Sequence, residues 1–183
     1  FNVSSTTTAN HKLTSFWIAF SQASTSDPSK KVYFRVFDGT GTLPGALLAV
    51  DSLTMEEIIE DVDDQEYTII DMLKDINLPA SRRIFISVDM SQLSFDDGDV
   101  LAVLSNLAGQ SNTNDIFDMA EDGIWRRYGT PGTWDLQQAS LYIHPHFTNT
   151  LTTPVVSPKT ATICSGNTIA LNGNSSTSIA GSP

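Results

Sequence analysis

Apolar residues recur at every second position in several short runs of this chain, and this period of two most constrains its fold. The plainest run covers residues 84–90 (IFISVDM), where Ile, Ile, Val and Met alternate with Phe, Ser and Asp. Such alternation indicates a strand with one buried face. Residues 16–20, 32–37 and 141–144 show the same pattern, and residues 100–104 are apolar on both sides, as expected of a central strand.

Turn-forming pairs separate these runs. Asp38-Gly39 and Asp97-Gly98 combine residue types that favour tight turns. Short strands joined by turns at this spacing are typical of sandwiches and jelly rolls. We therefore predict that residues 1–150 form one all-β domain, a jelly-roll-like (galactose-binding-like) antiparallel β-sandwich.

One segment has a helical alternative. Thr54 and Glu57 have the spacing of a capping box, which would begin a helix over residues 54–62. However, two aspartates and another strand-like run, residues 67–72, follow at once. On this balance we predict that residues 54–62 form a strand.

The composition changes at the end of this predicted domain. Residues 148–183 contain no acidic residue and are rich in Ser and Thr. We interpret residues 151–158, which include two prolines, as an extended linker. Residues 159–183 contain two short strand-like runs that cannot bury a core alone, so we interpret them as the truncated start of a second domain, poorly ordered here. The single cysteine, Cys164, lies in this part and is expected to pair outside it.

Charge and composition limit the partners. The formal net charge is −11, which argues against nucleic acid and anionic membrane surfaces as partners. Charged residues make up only 17% of the chain, and the abundance of Ser, Thr and Asn suits an extracellular β-rich protein. No apolar run approaches the ~20 residues that a membrane span needs. No membrane insertion is therefore expected.

Several stretches resemble a jelly-roll accessory module of secreted Bacteroidetes proteins. Val32–Gly39 (VYFRVFDG), followed by Leu43–Ala49 (LPGALLA), looks like the strand, Asp-Gly turn and Pro-Gly corner of those modules. Arg83–Asp89 is similar to their later core strand, and Asp122–Trp125, with Trp134 and residues 141–145, resembles their closing section. The resemblance implies a secreted or cell-surface parent protein and transfers no activity.

The end of the chain resembles a different domain type. Pro158–Ile169 is similar to the entry of an immunoglobulin-like or PKD-type repeat. Such repeats commonly follow these accessory modules in proteins exported by the type IX secretion route. The resemblance thus implies a longer, multidomain parent protein, and we interpret this chain as a middle segment of it.

A cluster of aromatic residues is a candidate carbohydrate site. Trp125, Tyr128 and Trp134 lie close together along the chain, and aromatic rings at a surface can stack on sugars. We name Trp134 and Tyr128, with Arg127 as a hydrogen-bond donor, as the candidate site. The alternative is that the tryptophans fill the space between the sheets, which we expect for Trp125.

Clustered aspartates are a candidate calcium site. Asp96, Asp97 and Asp99 lie in one short stretch, and Asp38 in a separate loop provides a further carboxylate. Calcium prefers such oxygen ligands. The alternative is that these aspartates only form turns. We expect no cofactor, with structural calcium as the one alternative left open.

His144 and His146 are the only close histidine pair. At positions i and i+2 of a strand their side chains share a face, so both imidazoles can reach one metal ion if a third ligand is present. The alternative is an exposed final strand in which Pro145 limits pairing.

The sequence contains no catalytic signature. It has no Gly-x-Ser-x-Gly elbow, phosphate loop or dinucleotide fingerprint. We therefore expect a non-catalytic interaction or adhesion module of a larger secreted or cell-surface protein, with a cell-surface protein or a polysaccharide as its partner. Two alternatives stay open: a carbohydrate-binding module that anchors a neighbouring enzyme, and a metal-assisted hydrolase that uses His144 and His146.

Overall fold

The computed structural model describes residues 10–107, 116–119, 122–128, 130 and 139–150. Antiparallel strands dominate these residues, which confirms the predicted all-β class. One short α-helix and a single 3-10 turn (Phe95–Asp97) interrupt them. The elements are β1 (Asn10–Ile18), β2 (Phe20–Ser24), β3 (Lys31–Asp38), β4 (Leu47–Thr54), α1 (Met55–Asp63), β5 (Thr68–Asn77), β6 (Ile84–Asp89), β7 (Val100–Val103), β8 (Phe117–Met119), β9 (Trp125–Arg127) and β10 (Ile143–Thr150).

Two three-stranded antiparallel sheets form the body of the fold. The first sheet has the strand order β10-β1-β5, and the second sheet has the order β4-β3-β6. In addition, β2 pairs with β7 and β8 pairs with β9.

The hydrophobic core lies between the two sheets. Phe16 of β1 and Phe34 of β3 meet edge to face with ring centroids 6.3 Å apart, and both are fully buried. Because side chains alternate across a strand, every second residue points into this core and the others form two outer faces. The buried hydrophobic residues of the two sheets are Leu13, Phe16, Ile18, Val32, Phe34, Val36, Ile70, Ile76, Ile84 and Ile143.

The chain changes sheets at Ala19, between β1 and β2. The Ala19 N–H donates to the Tyr142 carbonyl (3.0 Å), the Tyr142 N–H to the Leu104 carbonyl (2.9 Å), and the Leu104 N–H to the Ala19 carbonyl (2.8 Å). Strands commonly bend at such corners when they pass from one sheet to another. The strand predicted over residues 100–104 corresponds to β7, which pairs with β2. Just after β7, Ser105 forms an isolated bridge with Leu141, which lies shortly before β10. This corner fixes the position of Tyr142.

The prediction of a strand over residues 54–62 is wrong, because these residues form the N-cap and most of the helix α1. Thr54 is the N-cap residue: its Oγ1 accepts from the Glu57 N–H, and the Glu57 carboxylate accepts from the Thr54 N–H at 2.7 Å. This reciprocal pairing satisfies amide donors that a helix leaves open at its start. Met55 and Ile58, three residues apart, are both fully buried in the core. The helical spacing of the apolar residues and the capping box together outweigh the strand-like flanks.

The β8–β9 hairpin packs on the outer face of the second sheet. Trp125 meets Phe37 edge to face at 5.5 Å, and Phe117 meets Phe85 in the same way at 5.4 Å. The expectation that Trp125 belongs to the core between the sheets is therefore wrong. Its ring is half-buried on the opposite side of β3, where the hairpin covers aromatic side chains that the alternation turns outward.

Some predictions concern residues outside the described ranges. They are the candidate sugar ligand Trp134, the linker over residues 151–158, and the start of a second domain over residues 159–183 with Cys164.

Candidate binding face

The outer face of the first sheet has an exposed tryptophan at its centre. Phe16 and Ile18 are fully buried, so Trp17 between them points outward, and 36% of its surface is exposed. On the two neighbouring strands its Cα partners are His144 of β10 and Ile69 of β5. Trp17 therefore stands in the middle strand of this face.

Four aromatic side chains surround Trp17 or continue from it. The Trp17 ring lies 4.3 Å from the His146 ring, with an interplanar angle of 34°, and 6.1 Å from the Tyr67 ring. The His144 ring contacts Tyr67 at 5.8 Å and Tyr142 at 6.3 Å. We call these five side chains the ring cluster: Trp17, Tyr67, Tyr142, His144 and His146.

The ring cluster is both exposed and rigidly supported. Tyr67 and Tyr142 are 42% and 41% exposed, and each directly precedes a strand of the first sheet. The antiparallel register of β1 and β10 sets the spacing of Trp17, His144 and His146, because Trp17 pairs with His144 and Ser15 with His146. The rings are thus fixed by sheet pairing, and contacts between them restrict their rotation.

One buried polar atom of the ring cluster has no hydrogen-bond partner among the described residues. The Nε2 atom of His146 is buried and makes no hydrogen bond within the described part of the chain. A buried polar atom without a partner costs about 1–3 kcal/mol. The cluster therefore combines apolar ring surface with unused hydrogen-bonding capacity.

The two histidines lie on the same face, as their contacts with Trp17 and Tyr67 show. Within the described ranges, however, no group of three or more His, Cys, Asp or Glu side chains is arranged to hold a metal ion. The pairing across the sheet also puts Ser15 between Asp71 and His146. An activated serine needs the imidazole between the carboxylate and the hydroxyl, so this row does not have the order of a catalytic triad.

The candidate calcium ligand Asp99 is instead part of a buried ion pair. Its carboxylate is 2% exposed and accepts from the Lys30 ammonium at 2.6 Å, from Thr25 Oγ1 at 2.6 Å and from the Ser94 N–H at 2.7 Å. Lys30, then Thr25 and Ser94, lower the pKa of Asp99 to about 2. The Lys30 ammonium thus occupies the position in which a bound cation would lie.

The other predicted calcium ligands do not join Asp99. Asp38 ends β3 and accepts from the backbone N–H and Oγ1 of Thr40, both at 2.7 Å, as expected of a turn aspartate. Lys30 directly precedes the same strand, so Asp38 and Asp99 lie at opposite ends of β3, on the order of 20 Å apart. Asp96 and Asp97 are exposed in the 3-10 turn. The predicted calcium set is therefore not brought together.

The described members of the predicted sugar site, Arg127 and Tyr128, lie at the β8–β9 hairpin. The Arg127 guanidinium lies over the Phe117 ring, 5.4 Å from its centroid. Tyr128 is half-buried, and its burial, followed by the nearby charge of Asp118, raises the pKa of its hydroxyl. Arg127 thus contacts the hairpin's own aromatic ring.

Sequence reasoning did not name Trp17 or Tyr67 as binding residues. A signal for Trp17 was present, because it interrupts the buried pair Phe16 and Ile18 in a period-two run and so has to face outward. Tyr67 comes next to Trp17 only through the pairing of β1 with β5. No local pattern in the sequence indicates that pairing.

Comparison with protein-family models, curated proteins and solved structures gives no significant match to this chain. Among the described residues, no helix is long and apolar enough to cross a membrane.

Proposed function

We propose that this chain is a non-catalytic binding module of a larger secreted or cell-surface protein, and that it contacts its partner through the ring cluster. The observation that carries the proposal is the contiguous exposure of Trp17, Tyr67 and Tyr142 on one sheet face. Contiguous apolar patches of this kind mark interaction sites. Trp and Tyr are also the residue types enriched where binding energy is concentrated.

The support beneath the rings suits binding. Ordering a mobile side chain at an interface costs free energy, which reduces affinity. Trp17 is held by His146 on one side and contacts Tyr67 on another, so part of this cost is met before a ligand arrives. The hydroxyl-rich, weakly charged composition supports an extracellular setting. The jelly-roll-like strand arrangement and the accessory role next to other domains belong to the same proposal.

A binding comparison between two double variants tests this function. The full chain would be labelled and applied to bacterial and host cells, extracellular proteins and polysaccharides. Trp17→Ala with Tyr67→Ala should reduce binding at least about tenfold, which corresponds to 1.4 kcal/mol. The control, Phe95→Ser with Leu43→Ser, also removes exposed apolar side chains but lies outside the ring cluster. Equal binding by both double variants and the unmodified chain, with unchanged circular dichroism, would reject the proposed face.

A further inference from the structure

We propose that the ring cluster binds an uncharged saccharide, with a sugar ring stacked on the exposed parts of Trp17 and Tyr67. This inference rests on the proposed function and adds the chemical class of the ligand. A sugar ring presents C–H groups on its faces and hydroxyls around its rim. A site for it therefore needs exposed aromatic surface bordered by hydrogen-bonding groups, and the ring cluster has both.

The charges of the chain favour an uncharged ligand. The net charge of −11 repels polyanions at long range. The lysine nearest along β1, Lys12, faces Asp75 at 3.4 Å, so it is partly neutralised and does not form an anion site. The alternation of β5 places Asp71 on the same face, which further disfavours an anionic ligand. Among the described residues, the arginines that lie over aromatic rings do so at Tyr33, Phe85 and Phe117, all outside the ring cluster.

The open shape of the face also favours a polysaccharide chain over a small apolar ligand. Small apolar ligands occupy concave pockets that enclose most of their surface, whereas the ring cluster lies on the outside of a sheet. A polysaccharide chain can lie across such a face and contact several rings in succession. His146, Trp17, Tyr67, His144 and Tyr142 form a continuous series of neighbours, none more than 6.3 Å from the next.

Hydrogen bonding at the rim adds specificity. His144 is exposed between the two tyrosines and presents ring nitrogens to a ligand. The Nε2 atom of His146 has no hydrogen-bond partner among the described residues but is buried, so the His144 nitrogens are the ones that a sugar hydroxyl can reach directly.

A protein partner is the competing occupant. Stable protein interfaces bury roughly 800 Å² on each side around a core depleted of charge. On this face Trp17 is followed toward the start of β1 by Ser15, which pairs with Asp71 on β5, so polar residues begin one alternation step away. Exposed apolar residues of β5 continue this face: Ile69, the Cα partner of Trp17, is 48% exposed, and Leu73, on the irregular part of the strand, is 90% exposed. A protein interface of standard size would extend along β5 to Leu73. Leu73 therefore distinguishes the two occupants.

The test is a neutral glycan array with the full chain, followed by calorimetry on the best oligosaccharide. Trp17→Ala and Tyr67→Ala should each weaken binding about tenfold or more, Trp17→Phe should retain part of the affinity, and Leu73→Ser should have no effect. The sugar should also shift the tryptophan fluorescence, and Trp17→Phe should abolish the shift although the other two tryptophans remain.

The outcomes separate this inference from the proposed function. If no neutral glycan binds while cell or protein binding still depends on Trp17, the saccharide inference is overturned and the binding face stands. If the unmodified chain binds no glycan, and its binding to cells or proteins is lost in Leu73→Ser as well as in Trp17→Ala, the partner is a protein and the saccharide inference is overturned. Glycan binding that is indifferent to both Trp17 and Tyr67 would overturn the inference and the proposed face together.

Discussion

Both sheets of this fold carry outward-facing aromatic residues, but those of the second sheet are covered by the chain and those of the first sheet are exposed. On the second sheet, Phe37 and Phe85 point away from the core, and the β8–β9 hairpin packs Trp125 and Phe117 against them. On the first sheet, Trp17 also points away from the core but keeps 36% of its surface exposed. One face is closed by the protein's own chain, and the other presents its rings to solvent.

This difference teaches how a binding face can be distinguished from structural packing. An aromatic residue turned outward by strand alternation is apolar surface that something has to cover, or that stays exposed at a cost. Where another segment of the chain packs on the ring, the ring stabilises the fold. Where the ring is covered only in part, as Trp17 is by His146 and Tyr67, it contributes less to stability and remains accessible to a partner. The stability of variants on the two faces should therefore differ.

The largest effect is expected from two adjacent residues of β1 that face opposite sides. Phe16→Ala removes a fully buried ring that contacts Phe34 and should lower the free energy of unfolding by about 3–5 kcal/mol. Trp17→Ala removes a larger ring but should cost only about 1–2 kcal/mol, because 36% of Trp17 is already exposed and its ring neighbours are themselves partly exposed. Urea denaturation of both variants measures the difference. If both variants lose the same free energy of unfolding, Trp17 is a structural residue and the distinction between the exposed face and the covered face fails.

The closed face supplies the next largest effect. Trp125→Ala leaves Phe37 without its edge-to-face partner and should lower the free energy of unfolding by about 2 kcal/mol, less than a fully buried ring because Trp125 is half-buried. Trp125→Phe is the matched control and should recover about half of the loss. Ligand binding at the ring cluster should stay unchanged. If Trp125→Ala is fully folded and still loses ligand binding, the outer faces of the two sheets are coupled.

The sequence predicted the fold class because alternation is a local signal. The runs at residues 16–20, 32–37 and 84–90 appear as β1, β3 and β6 in the structure, and the alternation also tells which of their residues face the core. The pairing partners are set by contacts between distant segments, so the meeting of Trp17 with Tyr67 and His146 was not predictable. The helix α1 was missed because the flanking residues were weighed above the capping box at Thr54 and Glu57.

The aspartates show the same limit for candidate sites. Clustering along the chain suggested that Asp96, Asp97 and Asp99 act together, but only Asp99 turns inward, where Lys30 and Thr25 meet it. The ion pair joins residues 69 positions apart, a distance over which composition and spacing carry no information. Residue type predicted a calcium ligand at this place, and in the fold the Asp99 carboxylate binds the Lys30 ammonium.

A smaller effect, at a place outside both faces, is expected from the pH dependence of Asp99. Because Lys30, Thr25 and Ser94 lower its pKa from 3.8 to about 2 in the folded state, the folded protein favours the ionised form. This stabilisation is fully present above pH 3.8 and is lost as the pH falls toward 2. Asp99→Asn should therefore lower the melting temperature at neutral pH and weaken its dependence on pH in this window, as measured by thermal denaturation from pH 7 to 2.

The controls for Asp99 concern its neighbour and the predicted cation. Asp96→Asn changes an exposed residue of the same turn and should leave the melting temperature nearly unchanged. Addition of calcium or a chelator should have no effect, because the Lys30 ammonium already neutralises Asp99. A calcium-dependent increase in stability that disappears in Asp99→Asn would contradict this assignment.

The smallest effect is expected at the start of α1, which packs Met55 and Ile58 into the core. Thr54→Ala removes the hydroxyl that accepts from the Glu57 N–H and should lower the free energy of unfolding by about 1 kcal/mol, whereas Thr54→Ser should retain most of the stability. Both variants should bind ligand as the unmodified chain does, because neither changes the ring cluster. If Thr54→Ala weakens binding in proportion to its loss of stability, the exposed face depends on the global stability of the fold, and its separation from the structural face would not hold.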